Sequence, residues 1–167
     1  MQTLYQIALV SHIIGLTLLA GTTLVDYVLT RHFWKLYFQN TLNAIAIHSA
    51  GSKFRFLFGI GIILLILSGI TMMGITHGAF GEQIWFRIKF GLVILIIING
   101  LAIGGRQNSK LKKLLSQETN SNITNDSVQR ENHKVEMLKV KGKITWFHLS
   151  QLFFFILVFV LSVFKFN

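Results

Sequence analysis

Neither cysteine nor proline occurs in these 167 residues, and six acidic side chains face sixteen Lys and Arg. Without cysteine there are no disulfides, thiolate-bound metals or thiol redox chemistry, and the redox compartment stays open. Without proline no helix carries a proline kink, which argues against transporter folds built on broken helices, although paired glycines can still break one. The shortage of acid leaves a formal net charge of +10, which in a soluble protein would point to nucleic acid. This chain does not read as soluble. Hydrophobic residues make up 52% of it, with fifteen phenylalanines and a positive mean hydropathy, so no nucleic-acid partner is expected and the lipid bilayer is.

Four segments, at roughly 4–30, 54–76, 84–104 and 144–164, are long and apolar enough to span about 30 Å of hydrocarbon as helices. The expected fold is therefore all-α, a single integral membrane domain over 1–167 formed by a four-transmembrane-helix bundle. The first segment does not read as a cleavable signal peptide, since no cation precedes it and its apolar run is too long. Cations then set the orientation. Arg31, Lys35, Lys53 and Arg55 lie between or beside spans one and two, and nine more lie within 105–143, whereas only Arg87, Lys89 and Lys165 fall on the other side. By the positive-inside rule the basic segments are cytoplasmic and both termini lie on the outer side of a bacterial cytoplasmic (inner) membrane. The polar segment 105–143, with "QETNSNITNDSVQREN" at its centre, reads as a mobile linker flanked by helix extensions lying on anionic lipid. Its Asn122-Ile123-Thr124 matches the glycosylation pattern but has no meaning on the cytoplasmic side. The stretch 31–53 reads as an interfacial helix or an extension of span two.

Ionisable groups inside a span are costly enough to be functional candidates by default. Depth sorts them into two layers. The outer layer holds His12 and Lys89, with His77, Glu82 and Arg87 near the boundary; the inner layer holds Asp26, Arg55 and His148. His12 and Asp26 are fourteen residues apart, which places them within about 40° of one helix face and roughly 21 Å apart in height. His148, Gln151, Phe155 and Ser162 likewise share a face of span four, and Lys89 shares one with Gly100, with Asn99 close by. Small residues, namely Ala8, Ser11 and Gly15 on span one and Gly59, Gly61 and Ser68 on span two, let helices approach closely or make room for a flat ligand.

Three site chemistries suit these residues. A haem could take His12 or His148 as iron ligand through a neutral imidazole, with Lys89 and Arg87, or Arg55, pairing its propionates. A copper or other divalent metal could be held by His12, His77 and Glu82, although only one carboxylate is at hand and no His-x3-His spacing occurs. A proton or ion pathway could use Asp26, His12 and His148; if the chain is a redox enzyme, Lys89 and Asp26 are the catalytic candidates. Against these stand plainer roles: Arg87 and Lys89 snorkelling to headgroups, Asp26 and Arg55 as a structural ion pair between spans one and two, and His48 and His77 simply solvated.

The set "SHIIGLTLLAG" in span one, "WFRIKFGLVILII" opening span three and "VLSVFKF" at the end resembles the small four-helix membrane proteins of the HemJ-type protoporphyrinogen oxidase group and the related CopD-like families. The matching positions are His12, Trp85 with Lys89, and Lys165. What the resemblance implies is haem b within the bundle, His12 as axial ligand, Trp85 and Lys89 beside it, and protoporphyrinogen oxidation with electrons passing to quinone. The expectations are thus a haem-binding oxidoreductase with porphyrin and quinone as partners, or a CopD-like metal-handling protein, or a structural partner whose polar layers lock the bundle. Self-association into a homodimer is left open.

Overall fold

A computed structural model describes residues 2–39, 41–120 and 127–164. Among the described residues the chain is helical, with no strands. The helices are α1 (Gln2–Tyr37), α2 (Thr41–Ile75), α3 (Ile84–Ile98), α4 (Arg106–Asn120) and α5 (Ser127–Val163). Runs of Leu, Ile and Phe without proline leave helix as the structure that satisfies every backbone group in an apolar medium. Four stretches are long and apolar enough to cross a membrane: Gln2–Tyr37, Asn43–Ile75, Ile84–Glu118 and Glu131–Val163. This is a multi-pass helical bundle suited to a lipid bilayer.

Two turns join the first three helices. The Gln39 amide donates to the Leu36 carbonyl at 2.8 Å, closing the end of α1. The end of α2 is a Schellman cap: Gly78 N–H bonds Met73 O at 3.0 Å and His77 N–H bonds Gly74 O at 3.2 Å, with His77 at φ 50°. A 3₁₀ turn, Ala79–Glu82, then leads into α3.

α3 does not stop where the third span was expected to end. A π-helical stretch, Asn99–Gly105, carries it without a break into α4. Large rings seat on the glycines of this stretch: a Cβ at Gly104 would lie 2.8 Å from Phe147 Cζ, and one at Gly100 would lie 3.2 Å from Phe58 Cζ.

The described parts of 105–143 are helical, as expected of the flanking extensions. They pack on each other instead of lying on lipid. Leu111, Leu114 and Leu115 on α4 meet Met137, Val140 and Ile144 on α5, and Phe33, Trp34 and Ala44 from the α1–α2 end complete a buried cluster. Residues 121–126, including the Asn122-Ile123-Thr124 pattern, lie outside the described residues, as does Lys165. At 36 residues α1 is about 54 Å long, well beyond the hydrocarbon thickness of about 30 Å. The helices therefore run past the apolar layer and form a second short bundle at the basic end.

Within the apolar layer Leu19, Ile96, Phe155 and Val158 form a separate buried cluster. α1 and α2 cross at backbone contact. A Cβ at Gly15 would lie 2.9 Å from Leu65 N and 3.0 Å from Gly61 O, and one at Gly61 would lie 3.0 Å from Gly15 O. The space between these glycines is thus filled by backbone, not open to a flat ligand. Because backbone atoms cannot swing away, Gly15→Ala is expected to destabilise the protein by about 1–3 kcal/mol through overpacking. Gly59→Ala meets nothing within 4 Å and should be neutral or slightly stabilising. Thermal unfolding of both variants in one detergent checks the contrast, and equal stability would contradict it.

Candidate functional site

The two polar layers stand on different partners. At the far end His12, half-buried on α1, places Nδ1 3.0 Å from Ser68 Oγ on α2. The Ser68 hydroxyl is already committed: it donates to Leu64 O at 2.5 Å, with Leu65 O at 3.2 Å. A hydroxyl has one proton, so its oxygen accepts here and His12 Nδ1 carries the hydrogen. In the neutral ring Nε2 then holds the lone pair, which is the form in which an imidazole binds a metal. The ring lies beside Gly69, where an added Cβ would meet His12 Cε1 at an ordinary 3.7 Å.

Lys89, half-buried on α3, acts electrostatically on His12. Trp85 is buried one turn before it, with its ring edge-on to Phe86 at 6.0 Å. Arg87 is exposed, and its Nε donates to Gly81 O at 2.8 Å, so this cation ties α3 to the preceding turn. His77 is exposed at the left-handed position of the α2 cap, and Glu82 is exposed on the 3₁₀ turn. No three His, Asp or Glu side chains converge among the described residues, so His12, His77 and Glu82 are not brought together as a metal site.

At the basic end the expected Asp26–Arg55 ion pair is replaced by another. Asp26 Oδ2 lies 3.0 Å from Nε2 of His148, which is 1% exposed on α5. His148 Nδ1 lies 2.9 Å from the carbonyl of Ile144. A carbonyl only accepts, so Nδ1 carries a hydrogen, and a single proton remains to be shared between Nε2 and Oδ2. Both ring nitrogens are thereby engaged, which leaves His148 no lone pair to offer a haem iron. Arg55 is exposed and lines a small cavity beside Asp26.

A third polar group joins the π-helical stretch to α5. Asn99 Nδ2 donates to Gln151 Oε1 at 2.8 Å and to Ser150 Oγ at 3.1 Å. Gln151, fully buried, donates from Nε2 to Ile96 O at 3.1 Å. His148, Gln151 and Phe155 do share one buried face, as their spacing predicts.

The sequence alone sets Ser68 among small residues that let helices approach or make room for a flat ligand, and sets Lys89 and Arg87, not Ser68, beside His12. A usable signal was there. His12 lies 25 residues before the end of α1 and Ser68 lies 27 after the start of α2, so an antiparallel hairpin puts them at one height.

No protein-family model matches the chain, nor does any curated protein or solved structure. The likeness to HemJ-type and CopD-like proteins rests on the motif residues alone.

The pairing at the basic end makes a prediction. His148→Leu strands the Asp26 carboxyl, and breaking such a buried pair is expected to cost about 3 kcal/mol. Asp26→Asn, whose amide can still donate to Nε2, should cost less than Asp26→Ala. Denaturation of the three variants measures this, and equal losses for Asp26→Asn and Asp26→Ala would remove the hydrogen bond from the account.

Proposed function

We propose that this chain is a haem b-binding membrane redox protein in which His12 holds the iron. The observation that carries the reading is the bond from His12 Nδ1–H to Ser68 Oγ, which leaves Nε2 as a bare, half-buried donor. The remaining residues of that layer suit the same ligand. Lys89 supplies a cation for a propionate, Arg87 is a second cation nearer the boundary, and Trp85 gives a buried aromatic wall. Leu19, Ile96, Phe155 and Val158 close the bundle between the layers, which confines a haem held by His12 to the far end. A bound haem supplies one-electron redox chemistry. The chain's own contribution is to fix the His12 tautomer, neutralise carboxylates with Lys89, and keep a proton at the Asp26–His148 pair.

The finer reading, oxidation of protoporphyrinogen with electrons passing to quinone, is supported by the likeness at His12, Trp85 and Lys89. We place the basic end in the cytoplasm and both termini outside a bacterial inner membrane, on the strength of the Lys and Arg distribution. The missing cysteines make that orientation simple to test. A membrane-impermeant maleimide applied to intact cells should label Ala79→Cys and leave Ser109→Cys unlabelled until the cells are opened. The reverse pattern would invert the bundle.

Haem binding is read from the visible spectrum of the protein purified after growth with a haem precursor. A Soret band is expected, lost in His12→Ala and kept in His148→Leu. A colourless wild-type protein after haem reconstitution, or a band indifferent to His12→Ala, would sink the haem reading.

A further inference from the structure

The cavity beside Asp26 lies outside the haem reading and raises a separate question. It is lined by polar groups from three helices: Asp26 and Thr30 on α1, His48 and Arg55 on α2, and Asn108 on α4. Its volume of about 20 Å³ is enough for one water and little else. His48 Nε2 is buried and has no hydrogen-bond partner among the described residues. Such an orphaned nitrogen costs free energy unless something fills the space next to it.

Asp26 faces the same space with its second oxygen. While Oδ2 bonds His148, Oδ1 looks toward Gly51, where a Cβ would lie 3.9 Å from it. Gly51 is itself buried, and its missing side chain is what keeps the cavity open on that side. The Phe33 ring packs at 5.8 Å from His48 and closes another wall. Arg55, also lining the cavity, is exposed, so the space is reached from the surface past that side chain. The charged groups acting on His48 are Arg55 on its own helix, Asp26 on α1 and Lys112 on α4.

We propose that one water bridges His48 Nε2 and Asp26 Oδ1, and that this bridge is the route by which the buried Asp26–His148 pair exchanges its proton with the basic end. Each step balances. Doubly protonated His48 gives its Nε2 proton to the water and is left neutral with hydrogen on Nδ1, the water releases a proton to Asp26 Oδ1, and the proton shared between Oδ2 and His148 Nε2 settles on the imidazole; His48 takes its next proton from solvent that reaches the cavity past Arg55. The reverse sequence unloads the pair. Transfer ends there, because the His148 Nδ1 hydrogen is held by the Ile144 carbonyl. The site is thus a proton-loading station opening on one side of the bundle. The inference stands whether or not His12 binds haem.

The test uses the full chain with nitrogen-15 histidine in lipid nanodiscs, prepared without haem. Magnetisation transfer from water to His48 Nε2 is measured, together with the exchange rate of the His148 Nε2 proton with solvent. Wild type should show the transfer. Gly51→Ala, whose methyl meets Leu29 Cδ1 at 3.6 Å and Asp26 Oδ1 at 3.9 Å, both ordinary contacts, takes up cavity space while leaving both relay residues in place. It should slow His148 exchange by about tenfold or more with the His148 shifts unchanged. His48→Phe should do the same, and His48→Gln, which keeps a polar nitrogen at the site, should exchange faster than His48→Phe. No water transfer to His48 in wild type, or His148 exchange unaltered by Gly51→Ala and His48→Phe, would overturn the proposal.

Discussion

A polar side chain inside an apolar bundle has to find its partner within that bundle, and the rest of this structure follows from how His148 does so. Its Nδ1 hydrogen goes back to the Ile144 carbonyl one turn earlier on α5, which turns Nε2 outward toward α1 and fixes it on Asp26. That bond sets the rotation of α5. With α5 so turned, Gln151 reaches the Ile96 carbonyl and Asn99 at the start of the π-helical stretch, and Phe155 and Val158 enter the central cluster. Further back on the same stripe, Ile144, Val140 and Met137 enter the cluster at the basic end. One face of one long helix therefore serves both an aqueous bundle and an apolar one.

The two histidines illustrate opposite outcomes of the same rule. His148 has both nitrogens engaged and keeps a proton in place. His12 has one engaged, by a serine whose own hydrogen is spent on its helix backbone, and so keeps a lone pair free for something the chain does not supply. Buried apolar side chains lie between them. The two ends thus differ: one offers an imidazole lone pair, and the other keeps both ring nitrogens engaged.

Much of this was legible in the sequence, and the failures have physical causes. Four apolar runs gave the spans, and the 3.6-residue period gave the polar faces of α1 and α5. Depth was readable, but rotation between helices was not. The sequence therefore offers Arg55 and His148 alike as neighbours of Asp26 in the inner layer, and the structure selects His148. The segment 105–143 looked like a linker because its composition is polar overall. The spacing of Leu111, Leu114 and Leu115, and of Met137, Val140 and Ile144, holds the stripes on which its two described helical flanks pack together. The π-helical stretch had no warning beyond its glycines, since backbone register leaves little trace where proline is absent.

Hydrogen bonding fixes the protonation pattern of His12 and His148 in opposite ways. Nitrogen-15 NMR of the histidine-labelled protein, prepared without haem in a lipid bilayer at neutral pH, reads this directly. The account predicts a neutral His12 with hydrogen on Nδ1 and a bare Nε2, and a His148 with hydrogen on Nδ1 and a strongly hydrogen-bonded Nε2. Hydrogen on His12 Nε2 with a bare Nδ1, or a His148 lacking hydrogen on Nδ1, would contradict it.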